Sequence, residues 1–92
     1  MLRRYSISRA IVYGSYARRE ATAHSDIDLI LVQRTRKRFL DRYKGLLRDL
    51  TKAAKGPSVE PLIYTRQELE QMKDRPFIRA ALQEGIVIYE QE

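Results

Sequence analysis

The run Asp26-Ile27-Asp28-Leu29-Ile30-Leu31-Val32 constrains this chain more than any other stretch. It is rich in branched residues and too short for a typical helix, so it reads as a strand. Side chains alternate faces along a strand, which sends Asp26 and Asp28 to one side and Ile27, Leu29 and Leu31 to the other. Two carboxylates about 4 Å apart repel by roughly 4 kcal/mol at an effective dielectric near 20. A divalent cation between them removes that cost, so the pair points to hard-metal chemistry.

The remaining elements can be placed around this strand. Ala10-Ile11-Val12-Tyr13 reads as an earlier buried strand closed by a turn at Gly14-Ser15, with a first helical piece over 15–21. Between Arg36 and Ala54 the apolar residues Phe39, Leu40, Tyr43, Leu46, Leu47, Leu50 and Ala54 recur at helical spacing. That predicts one amphipathic helix, with Arg38, Arg42, Lys44, Arg48 and Lys52 mainly on its outer side. Gly56-Pro57 ends it, and Ser58 to Tyr64 offers a third strand in which Glu60, Leu62 and Tyr64 share a face. Pro61 cannot donate to a ladder, which makes this an edge strand or one that enters the sheet late. Thr65 and Glu68 form a capping box for a short helix reaching about Lys73. A second helix follows Pro76, ends at Gly85, and leads into a last strand, Ile86 to Tyr89. This order implies an α+β fold, a small mixed sheet with helices packed on one face, formed by residues 1–92 as a single domain.

The chemistry gathers at Gly14-Ser15 and, ten residues later, Asp26-Ile27-Asp28. A glycine followed by a small hydroxyl residue at a strand-to-helix turn lets backbone N–H groups approach phosphate oxygens. Two aspartates on a neighbouring strand supply oxygen ligands for magnesium, which binds through carboxylates and substrate phosphates together. Metal ions there polarise the α-phosphate, lower the pKa of an incoming hydroxyl and neutralise departing pyrophosphate. Glu60, on the third strand, is the candidate for a third metal ligand or hydroxyl activator. Arg18 and Arg19 are candidate triphosphate contacts. His24 has no cysteine or second histidine near it and receives no role.

The stretch from Gly14 to Leu29 resembles the active-site signature of the minimal nucleotidyltransferases of the DNA polymerase β superfamily: a glycine-serine pair, ten residues, then Asp-x-Asp. That family's pattern continues after the serine with Ala-Arg-Gly. Here Ala17 and Arg18 match, and Arg19 stands where glycine is usual. Glu60 falls where the third acidic residue of the family is expected. The resemblance implies a polymerase β-like nucleotidyltransferase fold and Mg2+, two ions, held by Asp26, Asp28 and Glu60. It implies nucleotide binding at Gly14, Ser15, Arg18 and Arg19, and transfer of AMP from ATP, or of another nucleoside monophosphate, onto a hydroxyl. It also implies a biology, the antitoxin of a toxin-antitoxin pair that adenylylates a small helical HEPN partner. The alternative is a module of the same fold that neutralises its partner by masking it, with Arg19 marking lost catalysis.

Length, charge and composition bound these readings. A chain of 92 residues leaves no room for a second substrate-binding domain, which makes a partner protein or a second copy the expected source of acceptor binding. The formal charge of +6 favours an anionic partner. Nine of the basic residues and two acids lie between Arg34 and Lys55, so the charge is concentrated in one segment. The tyrosines are scattered rather than arranged as a stacking platform, which ranks nucleic acid below a nucleotide or protein. No apolar run is long enough to cross a bilayer, no signal peptide opens the chain, and there is no cysteine. A cytoplasmic protein without disulfides or membrane contact is the expectation.

Overall fold

The computed structural model describes residues 1–91. Its centre is the aspartate-led strand, here β2 (Ile27–Gln33), every residue of which from Leu29 onward is buried. On one side β2 pairs antiparallel with β1 (Ile7–Tyr13), and on the other it pairs parallel with β3 (Val59–Tyr64). A last strand, β4 (Ile86–Glu90), lies antiparallel to β1, giving the sheet order β3-β2-β1-β4. β3 is therefore an edge strand, where the missing N–H of Pro61 costs no second ladder. The parallel β2–β3 pair needs a crossover, which α1 (Leu46–Ala54) supplies.

After β3, the chain turns into α2 (Arg66–Met72), with the Thr65–Glu68 capping box formed in both directions. The helix α3 (Pro76–Glu84) follows, with proline in its first turn. The first strand begins three residues before the apolar run that identifies it, and is preceded by a 3-10 turn, Leu2–Tyr5.

The α+β class and mixed sheet are as expected, but the helices are not confined to one face. Leu46 and Leu50 of α1 pack with Ile7, Leu29, Leu31, Val59 and Ile63. On the opposite face Ala81 of α3 packs with Ile11, Tyr13 and Ile30, and Leu69 of α2 and Leu82 join them. The reason lies in β2: it has no polar alternate residue between Leu29 and Val32, so both faces must be covered. Ile30, Leu31 and Ile63 are fully buried, each worth about 1.5–3 kcal/mol in area removed from water.

Two predicted helices differ from what forms. Residues 15–21 make a series of turns, not a helix: Arg18 N–H donates to Gly14 and Glu20 N–H to Ser15, and Arg19 then adopts φ 60°, which ends any right-handed progression. The long amphipathic segment is cut in two. A 3-10 turn spans Phe39–Tyr43, and Gly45 at φ 77° redirects the chain before α1 begins.

That break also inverts the expected position of Arg42. It is buried, donating to the carbonyls of Lys37 and Ile63 and forming a two-pronged pair with Glu68 at 2.6 and 2.9 Å. Among the described residues no helix is long and apolar enough to cross a membrane.

Candidate active site

The end of β1, the start of β2 and the start of β3 meet on the α3 side of the sheet. Register sets Asp28 beside Tyr13 on one side and beside Glu60 on the other. The pleat puts Asp28 on the same face as Ile30, and Glu60 on the same face as Leu62 and Tyr64. Asp26 lies one residue before β2, and its charge acts on both other acids.

Gly14 makes this arrangement sterically possible. It has φ 75°, and a Cβ there would lie 2.5 Å from Asp28 Oδ2. The carboxylate of Asp28 thus leans on the glycine turn. Tyr13, its neighbour, is buried, stacks edge-on against Phe77, and has its hydroxyl pKa pushed up to about 12 by burial and the Asp28 charge. It stays protonated across the whole working pH range.

Electrostatics reports how closely the acids gather. Partial burial, then the charge of Asp26, holds Asp28 above the usual carboxylate range, and Arg18 offsets part of this. The charge of Asp26 is the largest influence raising Glu60, with lost hydration and the charge of Asp28 adding to it. Such mutual repulsion is what a divalent cation relieves, and three carboxylates on adjacent strand ends are the hard oxygen donors that magnesium takes. Among the described residues, however, no three acids, histidines or cysteines are grouped as a metal site on their own. The carboxylate of Asp28 is turned toward Gly14.

The candidate phosphate-binding groups are only partly gathered. Ser15 follows Gly14 in the turn, its carbonyl accepting the Glu20 N–H. The Arg18 guanidinium is half-exposed and contacts Glu84 at 3.2 Å and Glu20 at 3.5 Å. Arg19 is exposed at the end of the turn, and no hydrogen bond or ion pair joins it to the acids among the described residues.

Glu84 is the residue that sequence reasoning overlooks. Its Oε1 accepts the Gly14 N–H at 2.8 Å, and both its oxygens lie within 3.3 Å of Arg18 Nη1. One signal was available: Glu84 occupies the last turn of α3, the end of a helix dipole where an acid is unfavourable and a cation is the usual choice. An acid there calls for a partner outside its helix.

The family described as "Polymerase beta, Nucleotidyltransferase" matches residues 1–92. A Methanocaldococcus jannaschii protein named "Putative protein adenylyltransferase MJ1305" is 31% identical over 86 residues, covering 89% of this chain. The chain spans 58% of that relative's length. Among solved structures, a toxin-antitoxin with AMP-PNP superposes with a TM-score of 0.64 at 17% identity, covering 99% of this chain and 68% of that one. A mutant of the toxin-antitoxin MntA-HpeT gives 0.61 at 14% identity, with the same coverage of both chains. At these identities the two structures are alike in fold.

Proposed function

The chain belongs to the polymerase beta nucleotidyltransferase family, and we propose on that footing that it transfers AMP from ATP to a hydroxyl of a partner protein. The observation that carries this reading is Asp28, set in register between the β1 end and Glu60 while resting on Gly14. It brings a carboxylate cluster and a glycine turn to one point, as transfer from a triphosphate requires.

In the reaction, the acceptor oxygen bonds to the α-phosphorus of ATP and the bond to the β-phosphate oxygen breaks. Pyrophosphate leaves, and the hydroxyl proton passes to a base. Asp26, Asp28 and Glu60 would hold Mg2+, two ions, which when bound supply Lewis-acid polarisation of the α-phosphate and a lowered hydroxyl pKa. Glu60 would orient or deprotonate the acceptor. Backbone N–H groups of the turn at Ser15, with Arg18 and Arg19, would take the β- and γ-phosphates.

The acceptor belongs to a partner, a HEPN-type toxin whose activity is blocked by the attached AMP, and both work in the cytoplasm. The likeness to toxin-antitoxin structures and to a relative named for protein adenylylation supports this. A second copy of the chain is the other source of acceptor contacts.

The test is incubation with α-labelled ATP, Mg2+ and a HEPN-type partner. Label should pass to the partner and be lost with Asp26→Asn or Asp28→Asn. One observation favours a second reading: Arg19 holds φ 60° where the family has glycine. Under it the protein masks its partner without chemistry, and an unlabelled but stable complex would decide for that reading.

A further inference from the structure

We propose that Glu84 is a positioning residue for the triphosphate: it fixes the Gly14 turn and aims Arg18, without touching the nucleotide itself. This rests on the nucleotidyltransferase reading above.

Three features converge on Glu84. Its carboxylate joins the backbone of the glycine turn to the Arg18 side chain, 70 residues from Gly14 and 66 from Arg18 in the chain. Its location is locally unfavourable, at the negative end of α3 and close enough to Asp28 for its charge to raise that acid. Specific bonds must hold it there, and the Gly14 N–H is the largest influence keeping it ionised. The third feature is Gly85. A Cβ at that position would collide with Ile11 Cγ2 and stand 2.7 Å from the Ala81 carbonyl, so only glycine lets the end of α3 settle on β1. The contact at Gly85 delivers the Glu84 carboxylate to Gly14.

Two consequences follow for nucleotide binding. The Gly14 N–H is already occupied, so the amides that meet phosphate begin at Ser15. Arg18 sits near three acids: Glu20 and Glu84, which it contacts, and Asp28, on which its charge acts. Released from Glu84, it would pair with Asp28 and compete with metal for that carboxylate. Held by Glu84 through Nη1, with Nε facing Glu20, it keeps its other terminal nitrogen for phosphate.

Glu84→Gln is the discriminating variant, because an amide oxygen can still accept the Gly14 N–H while the charge pair with Arg18 is gone. Calorimetric titration of ATP with Mg2+ should show about tenfold weaker binding, the size of one misplaced charge-assisted contact. Glu84→Asp, which keeps the charge but withdraws it by one methylene, should show a smaller loss. In an Arg18→Ala background, Glu84→Gln should cost no further affinity, since both changes remove the same contact. An undiminished ATP affinity in folded Glu84→Gln, or an equal further loss in the Arg18→Ala background, overturns the positioning role and leaves the transferase reading standing. Failure of the wild type to bind ATP overturns both.

Discussion

The carboxylate of Asp28 fills the space in which a side chain on Gly14 would begin: a Cβ there would lie 2.5 Å from Oδ2. Gly14→Ala must therefore push Asp28 aside as well as force alanine to φ 75°. The backbone strain costs about 1–2 kcal/mol, and urea unfolding should show a loss of that size. Label transfer should fall by far more than the unfolded fraction explains, because the displaced group is a proposed metal ligand. Transfer that declines only in step with stability would separate Asp28 from the chemistry.

Asp28 and Glu60 both have raised pKa values in the fold, caused by neighbouring negative charge and lost hydration. A raised carboxylate pKa means the folded state holds its proton more tightly than the unfolded one. Their contribution to stability is thus most favourable below the unfolded value and declines as pH rises through the folded one. At neutral pH, Asp28→Asn should be at least as stable as the wild type while losing transfer. Mg2+ should raise the melting temperature of the wild type and not that of Asp28→Asn, by linkage of metal binding to folding. Equal stabilisation of both proteins by Mg2+ would place the metal elsewhere.

Much of this arrangement can be read from residues close together in the chain, and the exceptions share a cause. The alternation that puts Asp26 with Asp28, and Glu60 with Leu62 and Tyr64, is local geometry, as is the Thr65–Glu68 capping box. Pro61 marks an edge strand for the same local reason. The expected helix at 15–21 and the unbroken helix at 36–54 fail because single residues, Arg19 and Gly45, hold positive φ angles that periodicity does not register. The apolar run of β2 reads as a strand by its length, and its lack of polar alternates also demands cover on a second face. Arg42 and Glu84 escaped because their partners, Glu68 and Gly14, are brought to them by the packing of separate helices.

Arg19 holds φ 60° at the position where glycine is usual in the family pattern that the chain resembles. A side chain in that conformation strains the backbone, whereas glycine adopts it freely. Arg19→Gly should stabilise the protein by about 0.5–1 kcal/mol in urea unfolding, even after the greater freedom glycine gives the unfolded chain. Nucleotide titration of the same variant tests the candidate phosphate contact: weaker ATP binding assigns Arg19 to the triphosphate, and unchanged binding removes it. A destabilised Arg19→Gly would mean the arginine side chain contributes packing that outweighs its strain.

The pair between Arg42 and Glu68 gives the fold an acid limit separate from the site. Arg42 is buried and Glu68 caps α2, so one carboxylate ties the segment before α1 to the helix after β3. The Arg42 guanidinium, followed by the Thr65 N–H, lowers the Glu68 pKa to about 2. A depressed pKa contributes stability above the unfolded value of 4.5, and that contribution is lost as pH falls from there toward 2. Breaking a fully buried pair costs about 3–5 kcal/mol, but the Glu68 side chain is 40% exposed, and solvent screening reduces the figure to roughly 1–2 kcal/mol. Glu68→Gln should therefore be less stable than the wild type by that amount at pH 7, with the two unfolding curves converging as pH drops through this window. A gap that stays constant down to pH 2 would show that the glutamate acts through its size and its capping bonds alone, with the charge of Arg42 satisfied by the carbonyls of Lys37 and Ile63.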